Sequence, residues 1–244
     1  AQEEQNRSES KRLDSTYRRR HSLGAPFDWR AANPKISQML ARLLIIPSTV
    51  LGLLVVGYVT FTTGIFVRSY FIPAGSMAPA VGPGEMIFAS GGYYASHTPV
   101  PGDIVLFNLP REGELTTFIK RVIAGPGDRI KLERGRLYLN GVLVERSPLP
   151  PDPAAGAQLY REILPNGRSY VIAEVSDGAF TDDMPEVLVE PGCYFVLGDN
   201  RDRSNDSRFP QFGTVPLAAI ADKPSIIWMS RGWRRIGKRL QPNP

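Results

Sequence analysis

Between Leu43 and Val67 the chain runs for 25 residues without a charged side chain. At ~1.5 Å of rise per helical residue, such a run exceeds the roughly 30 Å hydrocarbon core of a bilayer. It predicts one transmembrane helix over 43–67, with a buried core helix as the weaker alternative. Pro47, near its start, marks the first turns or a kink. The run is too long for the apolar part of a cleaved signal peptide, and a 42-residue polar stretch precedes it.

Charge sets the expected orientation. Residues 1–42 carry nine Lys/Arg, from Arg7 to Arg42, against five acids. An excess of Lys and Arg marks the cytoplasmic flank of a span, so 1–42 is read as a cytoplasmic basic leader and residues from about 68 onward as extracytoplasmic. Nine minus five leaves +4 of the net +5 in the leader and +1 for the rest. The basic balance is therefore topogenic and lipid-facing, and it gives little support to nucleic-acid binding, the Arg18-Arg19-Arg20 cluster included. The one cysteine, Cys193, excludes an intramolecular disulfide and reads as a small buried hydrophobe. No Cys/His cluster has metal-ligand spacing, so neither metal nor cofactor is expected.

Beyond the anchor the pattern is that of β-structure. Short apolar runs at 86–89, 104–107, 117–123, 129–132, 136–139, 170–173, 194–197 and 226–228 alternate with Gly, Pro and Asp turn signals. Asn140-Gly141 between two such runs predicts a type I′ hairpin. The four prolines of 147–156 mark a linker or excursion. These signals predict an all-β domain tethered by the N-terminal helix. Its core comprises 68–145 and 193–230, with a smaller β subdomain or loop inserted at 146–192 and a basic tail at 231–244. In the tail, Trp233 among Arg231, Arg234, Arg235, Lys238 and Arg239 suits contact with anionic lipid, though a solvated tail explains it as well.

Ser76 lies eight positions past Arg68, the first charge after the apolar run. Extended chain bridges that gap in at most about 30 Å, which restricts its hydroxyl to the bilayer surface. A serine hydroxyl is a weak nucleophile until a base takes its proton. The one histidine beyond the anchor, His97, lies in the polar stretch Ser96-His97-Thr98-Pro99. A lysine serves if it is neutral, and residues 69–244 hold four. Lys131 follows a turn, Lys223 sits in one, and Lys238 belongs to the tail. Lys120 alternates with Phe118 and Val122 on one strand face. Between two apolar neighbours its ammonium is disfavoured by desolvation. The residues alone leave a second reading open, a lysine that snorkels from an edge strand into water.

Four blocks occur in order: Gly75-Ser76-Met77-Ala78-Pro79, Gly102-Asp103-Ile104-Val105, Lys120 to Asp128 (KRVIAGPGD), and Gly198 to Arg208 (GDNRDRSNDSR). In this order after an apolar anchor, the chain resembles the bacterial type I signal peptidases, or leader peptidases, over roughly residues 65–230. The resemblance implies a signal-peptidase-like antiparallel β domain at the outer face of the cytoplasmic membrane, cleaving signal peptides from exported preproteins through an acyl-enzyme. It implies Ser76 as nucleophile and Lys120 as general base. Ser204 is implied to orient the lysine, and Asp206, paired with Arg208, to support the site. Asp199, Asn200 and Arg201 are implied to shape it. Without the family, 198–208 reads as a polar loop, and a calcium loop fails for want of a central Gly and a closing Glu.

Tyr70, Ile72, Met77, Phe118 and Ile119 are implied to wall a pocket for small side chains before the cut. The backbone N–H of Ser76 is the implied oxyanion donor. A second donor is open, because Ala74 stands where many relatives carry a hydroxyl. Val81 and Ala124 also depart from the usual pattern without removing a reactive group. A specialised peptidase for pilin- or conjugation-type precursors would use the same residues, and a substrate panel would separate the two. The non-enzymatic alternative is an inactive envelope-anchored β scaffold.

Overall fold

The computed structural model describes residues 46–58, 66–151, 156–176, 178 and 181–241. Two compact units emerge, Ala1–Val59 and Thr60–Pro244. In the first, residues 46–58 are helical and exposed throughout. No described helix is long and apolar enough to cross a membrane. Residues 43–45 and 59–65 of the expected span, and the leader 1–42, lie outside the described residues. Phe66 and Val67 correct the span at its end, for they open a strand, Phe66–Ile72, and not a helix. Aromatic and β-branched residues suit a pleated surface, and all seven residues of this strand pair in register with the next.

Among the described residues the second unit holds fourteen strands: β1 Phe66–Ile72, β2 Glu85–Gly91, β3 Ile104–Arg111, β4 Glu114–Ala124, β5 Arg129–Glu133, β6 Arg136–Leu139, β7 Val142–Leu143, β8 Glu145–Pro148, β9 Gln158–Ile163, β10 Ser169–Glu174, β11 Met184–Leu188, β12 Cys193–Leu197, β13 Val215–Pro216 and β14 Ile220–Met229. They form a seven-stranded sheet ordered β1-β2-β14-β3-β4-β12-β13, a three-stranded sheet β10-β9-β8 and a four-stranded sheet β11-β5-β6-β7. All the pairings between named strands are antiparallel.

Asn140 and Gly141 link β6 to β7 with φ of 54° and 78°. These are the left-handed values a two-residue hairpin needs to match strand twist. Glu112-Gly113 between β3 and β4, and Arg134-Gly135 between β5 and β6, repeat that geometry without an Asn to announce it. Ser147 and Pro148, expected in a linker, lie in β8. That strand is the outer one of its sheet, where a proline without an N–H is tolerated.

Three apolar clusters fill the unit. One joins β1, β2, β3 and β14 through Ile72, Met77, Ile87, Ile104, Leu106 and Ile227. A second, on the other face of β3 and β4, holds Val105, Phe107, Val122 and Val196. The third fills the space among β5, β6, β10 and β12 with Ile130, Leu137, Ile172 and Phe195. Cys193, expected to be buried, is half-buried against this third cluster. Trp228 stacks on Phe88, with ring centroids 5.1 Å apart, while Trp233 is exposed beside Arg234.

Candidate active site

Ser76 stands in the loop from β1 to β2. Met77 and Val81, both fully buried, fasten that loop to the core. Turn hydrogen bonds tighten it, Ala78 N–H to Gly75 C=O at 3.1 Å and Val81 N–H to Met77 C=O at 2.9 Å. Lys120 lies on β4 where the strand passes from exposed to buried residues. Its Nζ is 2.8 Å from Ser76 Oγ, and the residue is only 4% exposed. Burial is the main cause that lowers its pKa to about 8. Among the nearby charges, Asp206 and Asp199 oppose the shift and Arg208 assists it. The snorkelling alternative is therefore not what the fold adopts.

The other candidate bases are engaged elsewhere. His97 Nδ1 is 3.0 Å from Ser96 Oγ and 2.9 Å from Tyr93 C=O, and its ring stacks on Tyr93. Lys131 pairs with Glu133 in solvent. Lys223 approaches Asp103 at 3.4 Å, and Lys238 donates to Pro79 C=O.

The segment 198–208 wraps the pair. Asn200 donates twice to the nucleophile loop, from its backbone N–H to Ser76 C=O at 3.1 Å and from Nδ2 to Gly75 C=O at 3.3 Å. Asp206, fully buried, accepts Gly198 N–H at 3.0 Å and is held by Arg208 through Nε at 2.8 Å and Nη2 at 3.0 Å. Asp199 takes a bidentate pair from Arg121, both bonds 2.7 Å. Ser204 departs from expectation. Its buried hydroxyl has no hydrogen-bond partner, so it makes no bond to Lys120.

Ser204 instead packs against Gly198. A methyl group built on Gly198 would lie 2.2 Å from Ser204 Oγ and 2.5 Å from Ser76 C=O. Gly198 is thus the spacer that lets the nucleophile loop and the 198–208 segment touch. It sits in a motif legible in the sequence, yet its role there was not.

Of the pocket candidates, Ile72 and Met77 are buried in one cluster, with Tyr70 and Ile119 packed on it. Tyr70 Oη also donates to Asp222. Phe118 is not among them. Strand alternation turns it to the opposite face, where its ring lies 5.8 Å from Phe107 and 5.4 Å from Phe212. Ala74 is exposed and offers no hydroxyl. Among the described residues, no group of three His, Cys, Asp or Glu is placed to hold a metal ion.

A serine hydroxyl 2.8 Å from a desolvated amine, with no histidine among the described residues bonded to it, is an arrangement that suits serine–lysine hydrolysis. The chain belongs to the family described as signal peptidase, peptidase S26, whose sequence model matches residues 45–229. It is 33% identical over 187 residues to a signal peptidase I of Pseudomonas aeruginosa, covering 67% of this chain and 65% of that one. It is 32% identical over 195 residues to a signal peptidase I of Rickettsia bellii, covering 68% and 67%. With a signal peptidase I of Rickettsia canadensis it shares 38% identity over 141 residues, 54% of this chain and 52% of that one. The matches thus span between about half and two thirds of those relatives. A crystal structure of a signal peptidase I from Enterococcus faecalis aligns with 51% of this chain and 94% of that chain at 29% identity. Its TM-score of 0.31 adds nothing to the fold assignment.

Proposed function

We propose that this chain is a membrane-bound serine endopeptidase that removes signal peptides from exported preproteins. The observation that carries the reading is the 2.8 Å approach of Lys120 Nζ to Ser76 Oγ inside a buried site. Neutral Lys120 takes the hydroxyl proton as Ser76 attacks the scissile carbonyl. The resulting ammonium gives a proton to the leaving amine, and a water repeats the sequence on the acyl-enzyme. The backbone N–H of Ser76 is the assigned oxyanion donor. Asp206 and Arg208 hold the 198–208 segment, Asn200 fastens the nucleophile loop, Asp199 ties the segment to Arg121 beside Lys120, and Ser204 fills the gap beside Gly198. The antiparallel β domain is of the signal-peptidase type.

An extended substrate suits this fold. Among the described pairings, β12 covers β4 only at Arg121–Ala124, which leaves an open strand edge before Lys120. Backbone pairing there would place alternate side chains against the wall of Tyr70, Ile72, Met77 and Ile119. Bulky walls around a shallow pocket favour small residues such as alanine, since each excess methylene costs roughly 1–3 kcal/mol.

The anchor is proposed for the part of the uncharged run that precedes β1, with the leader in the cytoplasm and the peptidase unit on the outer face. An uncharged run that long, helical and exposed where it is described, supports it. Exposed Phe66, Val67 and Phe71 on β1, with Met229, Trp233 and Ile236, offer apolar surface suited to a bilayer.

The test is a preprotein cleavage assay. Ser76→Ala is expected to lower kcat by about a thousandfold or more, as removal of a covalent nucleophile does, with the thermal midpoint little changed. Retained turnover would overturn the reading.

A further inference from the structure

One cluster of buried charge outside the dyad lies where the β8-β9-β10 sheet meets the 198–208 segment. Glu162 on β9 is 1% exposed. Its carboxylate accepts Arg201 Nη1 at 3.0 Å, Arg201 Nη2 at 2.5 Å and Tyr170 Oη at 2.9 Å. Arg201 is itself 2% exposed and adjoins Asn200, the residue that donates twice to the nucleophile loop. Three further bonds tie the same segment to β10 and the two residues that follow it. Ala173 N–H on β10 donates to Asp199 C=O at 2.9 Å. Asp202 Oδ2 accepts Val175 N–H at 2.6 Å and Ser176 N–H at 3.0 Å. Arg121, beside Lys120 on β4, lies over the Tyr170 ring at 4.4 Å while it holds Asp199.

We propose that the β8-β9-β10 sheet is a positioning clamp for the nucleophile, with Glu162 as its key positioning residue, acting through Arg201 and Asn200 on Ser76. The path is continuous. The Glu162 carboxylate fixes the Arg201 guanidinium by a bidentate pair, the strongest geometry a carboxylate offers an arginine. Fixing Arg201 fixes the backbone of Asn200. Asn200 N–H then fixes the carbonyl of Ser76, and its amide that of Gly75. No bond in this path reaches the substrate, so the clamp acts on the geometry of attack and not on binding. Displacement of a reacting atom by about 1 Å costs on the order of a hundredfold in rate.

The inference rests on the Ser76–Lys120 reading, and Ser76→Ala serves as its control. Glu162→Gln keeps the shape and removes the charge. Its kcat per folded molecule, with the folded fraction taken from thermal melts, is expected to fall roughly ten- to a hundredfold while KM stays within about twofold. Glu162→Asp should recover part of the loss, and Tyr170→Phe, which removes one donor and no charge, should lose a few-fold in kcat. Tyr170→Phe carries the test should Glu162→Gln fail to fold. A structural role alone would lower the folded fraction and leave kcat per folded molecule at the wild-type value, and that result overturns the clamp. If Ser76→Ala is inactive while Glu162→Gln and Tyr170→Phe turn over normally, only the clamp falls. If Ser76→Ala still cleaves, the dyad falls and the clamp with it.

Discussion

Lys120→Met is expected to abolish cleavage and, at neutral pH, to make the protein more stable than the wild type. Both effects have one cause. Lys120 is 4% exposed, and its pKa is lowered from 10.5 to about 8, chiefly by burial. A group whose folded pKa lies below its unfolded value binds fewer protons in the folded state between those two values. Stability therefore rises with pH across the window from about 8 to 10.5, and the fold carries the full cost of the buried ammonium below about 8. Each pKa unit is about 1.4 kcal/mol, so the cost is about 3 kcal/mol. Methionine, of similar length and without charge, removes it. Thermal melts at pH 7 should show the variant above the wild type, with the gain fading toward pH 10.5. The cleavage rate should fall about a thousandfold or more, since among the described residues no base other than Lys120 bonds the Ser76 hydroxyl. A variant as active as the wild type, or a stability gain independent of pH, contradicts the assignment. Exchanging stability for a strained functional group is a common trade in enzymes.

Gly198→Ala should also damage activity severely, although no reactive group changes. The added methyl would lie 2.2 Å from Ser204 Oγ, 2.4 Å from Ser204 Cβ and 2.5 Å from Ser76 C=O. Rotation of the serine hydroxyl clears the first contact but not the other two, so the backbone at Ser76 has to move. Overpacking of this kind costs typically 1–3 kcal/mol. A shift of about 1 Å at the nucleophile adds on the order of a hundredfold loss in kcat. Gly75 supplies the internal comparison, because a methyl there meets only Pro83 Cδ at 4.0 Å. Gly75→Ala should therefore be the milder of the two. Steady-state kinetics on both variants, with thermal midpoints, decide the matter, and equal activities would refute the spacer role.

Much of the site was legible because its parts obey local rules. The face shared by Phe118, Lys120 and Val122 follows from the period of two in a strand, and it singled out the lysine that reaches Ser76. The hairpin at Asn140-Gly141 follows from the left-handed φ those residues tolerate. What escaped depends on contacts distant in sequence. Glu162 and Arg201 are 39 positions apart, and nothing local in Gln158–Ile163 signals that its glutamate is buried. Ser204 was expected to bond the lysine, but the approach of Gly198 directs its packing, a distance no motif spells out. Phe118 was grouped with the small-residue wall; it shares the Lys120 face of β4, opposite Ile119, and its ring packs on Phe107 and Phe212. The apolar run from Leu43 looked uniform to its end, but Phe66 and Val67 belong to a strand. Pairing with β2, not hydropathy, sets that boundary.

The central claim is that a buried neutral Lys120 activates Ser76. The most direct measurement is the rate of acyl transfer to Ser76 from an activated peptide ester, followed by acid quench and peptide mass mapping across a pH series. The acyl group is predicted on the tryptic fragment that begins after Arg68, with a labelling rate that rises with pH through an apparent pKa of about 8. Labelling of another residue, or a rise displaced to the ordinary lysine value of 10.5, would contradict the account.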